Sequence, residues 1–150
     1  MNDLPARHSF LRQCLVVALV VPLMSLACPP SARAQQAPAP ASQTTDVGGV
    51  TIRVKPKPLE AGAHELVFGV SLDTHSQPLD DNLGETTVLV VDGTALKPAR
   101  VSGSGPGGHH RDVLLSFDMP SVDFKSVELR IQRAGESSPR TFRWDGAAWR

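Results

Sequence analysis

Imidazole is the side chain in this sequence best suited to chemistry near neutral pH, and the 150-residue chain carries five histidines. His8 precedes an N-terminal apolar stretch, whereas His64, His75, His109 and His110 lie beyond it. His75 sits in Asp73-Thr74-His75-Ser76, and the pair sits in Gly105-Pro106-Gly107-Gly108-His109-His110-Arg111. Neutral imidazoles and a carboxylate converging on one spot suit Zn²⁺ or Cu²⁺, so the candidate metal ligands are His75, His109, His110 and Asp73. No His-x-His or His-x-x-x-His spacing holds such a set together locally, so the fold would have to assemble it. If strand alternation runs through the pair, only one of His109 and His110 faces inward. The competing reading is that the pair is solvated and His75 only bonds its own turn. Asp80 and Asp81 lack the spaced register of a calcium loop.

Other chemistries have less to stand on. Cys14 and Cys28 both precede the folded region, so the domain has no disulfide, thiol nucleophile, Cys-ligated zinc or blue-copper thiolate. Gly103-Ser104-Gly105-Pro106-Gly107-Gly108 does not end in Gly-Lys-Ser/Thr and reads as a flexible loop rather than a phosphate cradle. Ser76 or Ser104 could be combined with a histidine and an aspartate, but no Gly-x-Ser-x-Gly elbow accompanies them. Basic and acidic residues balance at 15 each. Without Arg7, Arg12, Arg33 and Asp3 the remainder is slightly acidic, against a nucleic-acid partner. Arg111 and Asp112 are placed to make a structural ion pair beside the loop, a surface pair worth only about 0–1 kcal/mol and without a function.

The elements that must position these loops are strands. Val50, Ile52 and Val54 alternate with polar residues, as do Leu66, Phe68, Val70 and Leu72, then Val113, Leu115 and Phe117, then Val127, Leu129 and Ile131, with Phe142 and Trp144 closing the series. Thr87–Val91 is a β-branched run suited to a central strand. Asp92-Gly93 and Ala134-Gly135-Glu136-Ser137 are turn signals. Pro98 marks a short edge segment reaching Val101. Seven short strands without an amphipathic helix predict an all-β, immunoglobulin-like antiparallel sandwich, with an open barrel as the alternative. Trp144 reads as core, and Trp149 as either a core plug or an exposed anchor. If successive strands alternate in direction, the 73–84 loop and the 102–110 loop emerge at the same end, which brings His75 towards His109 or His110.

Three segments follow from composition. Residues 1–34 read as a signal peptide: Arg7 and Arg12, an apolar stretch from Cys14 to Ala27 too short for a confident membrane span, and Ala32-Arg33-Ala34 as a cleavage site. Ser25-Leu26-Ala27-Cys28 is an imperfect lipobox, making a lipid anchor at Cys28 the alternative. Residues 35–46 read as a mobile Pro/Ala/Gln-rich spacer, and 47–150 as the β domain, periplasmic or secreted.

Leu72-Asp73-Thr74-His75-Ser76, Leu79-Asp80-Asp81, Pro106-Gly107-Gly108-His109-His110-Arg111 and Phe142-Arg143-Trp144 together resemble a group of small exported bacterial and archaeal domains of uncharacterised function. The resemblance implies an exported sandwich in which the two histidine segments recur together, and it implies no activity. The expected function is an exported, non-enzymatic binding or accessory module for a divalent transition metal. The alternatives are a structural or protein-interaction sandwich without metal and, behind both, a metal-dependent hydrolase using the same histidines.

Overall fold

The computed structural model describes residues 39–150. The expected signal peptide, the Cys28 of the alternative lipid anchor and the start of the expected spacer lie outside the described residues. Alternation of apolar and polar side chains produces β1 (Gln43–Val47), β2 (Val50–Pro56), β3 (Glu65–Thr74), β4 (Thr87–Val91), β5 (Thr94–Leu96), β6 (Arg100–Gly103), β7 (His110–Asp118), β8 (Ser126–Ile131) and β9 (Arg140–Asp145). A one-turn helix, α1 (Leu83–Thr86), precedes β4, and a 3-10 turn, Gly146–Trp149, follows β9. The strands form two antiparallel sheets, β1-β2-β3-β7-β6 and β5-β4-β8-β9. The chain is thus an all-β sandwich, as its periodicity predicts. No described helix is long and apolar enough to cross a membrane.

Inward-facing side chains meet between the sheets. Val50, Ile52, Val54, Leu66, Phe68, Val70, Leu72, Leu115 and Phe117 from one sheet pack against Leu89, Val127, Leu129, Ile131 and Phe142 from the other, all essentially inaccessible to water. Aromatic rings fill the end of this core at which β3 begins. Phe68 meets Phe117 edge-on at 5.9 Å and Trp144 at 5.5 Å, and Trp149 packs edge-on against Phe124 at 5.6 Å. Trp149 is therefore a core plug, its indole N–H donating to the Lys57 carbonyl at 3.1 Å. Such contacts add about 0.5–1.5 kcal/mol per pair beyond burial itself.

Two strands were not foreseen. β5 is three residues long and follows an Asp92-Gly93 hairpin with both φ angles positive, +46° and +87°. β1 corrects the spacer: residues 43–46 are strand, not mobile chain, and the ordered domain begins before residue 47. The physical reason is the Gly48-Gly49 pair, at φ +58° and +78°. Only glycine takes up these angles freely, and they fit the tight turn that lets a strand fold back on β2. β1 then reaches across to the other sheet. The Gln43 amide donates to the Arg143 carbonyl at 2.5 Å and its oxygen accepts from the Arg143 N–H at 3.2 Å, as a neighbouring strand would. The Trp144 indole donates to the Ala41 carbonyl at 2.8 Å.

A chain beginning at Gly48 should therefore be less stable than one beginning at Ala39 by about 2–4 kcal/mol, the net worth of one charged and several neutral hydrogen bonds. It should also associate through the bared β2 edge. Urea unfolding followed by tryptophan fluorescence measures this; equal midpoints would show β1 to be dispensable.

Candidate functional site

Strand direction places the loops. β3 ends, and β7 begins, at the same end of the sandwich, where Asp73 pairs in register with His110. The 75–82 and 104–109 loops leave from that end together, as strand parity predicts, and the Thr74 N–H donates to the His109 carbonyl at 2.9 Å between their roots.

Above the aromatic core this end is polar inside. Arg111, Arg133 and Arg140 are buried, with accessibilities of 3%, 7% and 5%. Each lies two residues beyond an apolar alternation, on the inward side: Arg111 before Val113, Arg133 after Ile131, Arg140 before Phe142. Buried guanidinium groups need acceptors, and these come from the loops and, for Arg140, also from the facing ends of β1 and β2. Arg111 Nη1 donates to the Leu79 and Asp81 carbonyls at 2.7 and 3.0 Å, and its Nη2 approaches the Ser104 carbonyl at 3.5 Å. Arg133 Nε donates to Asp81 Oδ2 at 2.8 Å and its Nη2 to the Pro78 carbonyl at 2.8 Å. The other Asp81 oxygen accepts from the Ala134 N–H at 3.1 Å. Arg140 grips Glu136 through Nε at 3.0 Å and Nη2 at 2.5 Å, and donates to the Val50 and Val47 carbonyls at 2.7 and 2.8 Å.

The outward residues of the same strand ends form a second polar set. His110 is exposed on the open face of the five-stranded sheet, between two carboxylates: Nδ1 lies 2.5 Å from Asp73 Oδ1 and Nε2 lies 2.8 Å from Asp112 Oδ2. The Ser71 hydroxyl donates to the other Asp112 oxygen at 2.5 Å. A carboxylate at each ring nitrogen suits the imidazolium, the form in which both nitrogens donate. Its pKa is raised, first by the hydrogen bond to Asp73 and then by that to Asp112. The Asp112 carboxyl is held below the usual range, first by Ser71 and then by His110.

Of the four candidate ligands, the fold brings Asp73 and His110 into direct contact. His75 lines a shallow cleft of about 270 Å³ with Asp46, Gly49, Thr51, Asp73, Thr74 and Ser76. The ring nitrogens of His75 and His109 make no hydrogen bond among the described residues. In its turn the polar partner is instead Thr74, whose hydroxyl donates to the Gly49 carbonyl at 2.9 Å and accepts from the Ser76 and Gln77 N–H groups at 3.2 and 3.0 Å. No group of three or more His, Cys, Asp or Glu side chains among the described residues stands close enough to share a metal ion.

Two further expectations are corrected. Neither His109 nor His110 faces inward; Arg111 holds the inward position, because β7 alternates from Phe117 back through Val113 to residue 111. Arg111 and Asp112 form no ion pair, since adjacent strand residues face opposite sides: Arg111 bonds carbonyls in the interior and Asp112 bonds His110 and Ser71 outside.

No protein-family model matches the chain, and no curated protein shows significant similarity to it.

The buried pair gives a direct test of the network. Arg133→Met leaves the Asp81 carboxylate buried without its guanidinium and should cost about 3–5 kcal/mol, whereas adding Asp81→Leu should recover much of that loss. Urea denaturation of the single and double variants measures it; a cost below 1 kcal/mol for Arg133→Met would mean that the pair behaves as a surface one.

Proposed function

We propose that this protein is an exported, non-enzymatic binding module whose working surface is the sandwich end carrying the 75–82 and 104–109 loops. The observation that carries the reading is how the buried arginines are used. Arg111 and Arg133 direct their donors to the carbonyls of Pro78, Leu79, Asp81 and Ser104, while His75, Ser76, Gln77, Pro78, Ser104, Pro106 and His109 stand exposed above them. Burying two guanidinium groups under surface loops costs several kcal/mol of desolvation before it is offset. Stiff loops are what a recognition surface requires, because ordering done in advance need not be done on binding.

The strand order supports an immunoglobulin-like reading of the scaffold. β2-β3-β7-β6 opposed to β5-β4-β8-β9 corresponds to the A-B-E-D and C′-C-F-G sheets of that fold, with β1 as an added edge strand, and such sandwiches carry recognition loops at their ends. Export is supported by the charged, apolar and small-residue regions of residues 1–34. The partner that suits this end is a macromolecule with a polar surface, because the exposed tips offer hydroxyl, amide, imidazole and backbone groups around an open cleft. His110 offers no lone pair to a metal while both carboxylates hold it.

Photo-crosslinkers at Gln77 and Pro106 should give a discrete adduct in the native compartment, and crosslinkers at Glu60 and Val122, at the other end, should not. Adducts from both ends alike, or from neither, would sink the reading. A zinc or copper titration distinguishes the metal alternative: micromolar or tighter binding lost in His75→Ala and His109→Ala variants would move the function to metal handling.

A further inference from the structure

A hydrogen-bonded imidazole behaves differently on its two sides once it loses a proton. The imidazolium donates from both ring nitrogens, and the neutral ring donates from one and turns a lone pair outward from the other. His110 faces a carboxylate on each side, at 2.5 and 2.8 Å, so the neutral ring sets a lone pair against an anion. Its position gives that conflict a consequence. Asp73 is the last residue of β3 paired with β7, His110 is the first residue of β7, and the next rung, Thr74 N–H to His109 carbonyl, is the last before the loops diverge.

We propose that His110 is a proton-operated clamp at the root of the 75–82 and 104–109 loops: protonated, its ring ties Asp73 on β3 to Asp112 on β7; neutral, it releases one carboxylate and loosens both loops. The surroundings reinforce this. Asp112 also accepts from the Ser71 hydroxyl through its other oxygen, a bond that does not involve the ring. On β2, Arg53 stands beside Ser71 in register and Thr51 stands beside Asp73; on β1, Asp46 stands beside Thr51. From the loops come His75, His109 and Asp80, the last close to Gly107. Arg111 is on the opposite side of β7, spent on loop carbonyls. Acidic groups thus outnumber permanently basic ones on this face, and loss of the His110 charge leaves Asp73 and Asp112 uncompensated.

The sign follows from the direction of the shift. His110 gains affinity for its proton on folding, so the clamp is fully engaged below the ordinary imidazole value of about 6.5 and lets go as pH rises through the raised value of the folded state. The regulation concerns the end assigned above to binding and rests on that reading for its purpose. Its existence is measured on the free protein, so a failure of one does not entail a failure of the other.

Amide hydrogen exchange and histidine ring NMR across the titration provide the test. The His110 ring should titrate above a free imidazole. Once corrected for intrinsic exchange, the Thr74 and Gly107 amides, which donate to the His109 and Leu79 carbonyls, should exchange severalfold faster above that midpoint, with the core amides of Phe68 and Leu115 unchanged. Asp73→Asn should lower the midpoint and shift the loop transition with it, and His110→Gln should remove the pH dependence. Loop exchange that tracks the core amides through the His110 titration would overturn the proposal, as would a pH-dependent loop transition that survives in His110→Gln.

Discussion

Three guanidinium groups buried at one rim of the sandwich set the terms for everything around them. A charged donor set withdrawn from water has to be met by acceptors or the fold does not hold, and an inter-strand ladder has few to spare because its carbonyls are already paired. The unpaired carbonyls are in loops and at the strand ends that flank the Gly48-Gly49 turn. Arg111, Arg133 and Arg140 accordingly take the carbonyls of Leu79, Asp81, Pro78, Val47 and Val50, with Asp81 and Glu136 as the counter-charges. The 75–82 connection, which crosses from one sheet to the other, is fixed by charge and hydrogen bonding beneath it, helped by Leu79 and Leu83 in the core. Arg111 Nε is buried without a protein partner, so this network is less completely satisfied than the ladder below it.

The two polar sets at this end come from one register. Along β7, His110 and Asp112 point out while Arg111 and Val113 point in, and along β3, Ser71 and Asp73 point out while Leu72 and Thr74 point in. A slip of one residue would exchange the sets, burying an imidazole between carboxylates and exposing the guanidinium. The inward arginines and the outward histidine therefore reinforce the same pairing of β3 with β7. Gly103, at the end of β6, belongs to this arrangement: at φ +115° a Cβ would come within 2.3 Å of the Asp112 carbonyl, so the strand beside Asp112 must be glycine there.

Period-two alternation made the main strands, the sandwich and the shared end of the two loops legible in the sequence, because burial on one face writes itself directly into residue type. The same alternation could have been carried two residues further at Arg111, Arg133 and Arg140, where it continues in charged residues; reading only apolar positions as inward hid the network. β1 was missed for another reason. Gln43-Thr44-Thr45-Asp46 has no apolar inner face to detect, being an edge strand held by backbone pairing and by the Gln43 amide, and only Gly48-Gly49 announced it. Asp73 and His110 are candidates in the sequence, but the contact between them, and that of Ser71 with Asp112, are cross-strand facts that sequence distance conceals.

The sandwich is therefore asymmetric along its length. At one end Phe68, Phe117, Phe124, Trp144 and Trp149 fill the space between the sheets, and Asp92 there is occupied in capping the 120–126 segment through the Lys125 and Ser126 N–H groups. The loops of that end close over a core, with a cleft of about 370 Å³ beside Lys57, Pro58, Glu60 and Ala63 on the outside. At the other end the core gives way to charged groups that hold loops from below, leaving their polar tips facing water. The aromatic core and the buried arginine network are thus separated by the length of the strands, so loop tips can change with little effect on the core, while changes to the buried arginines disturb the loops they hold.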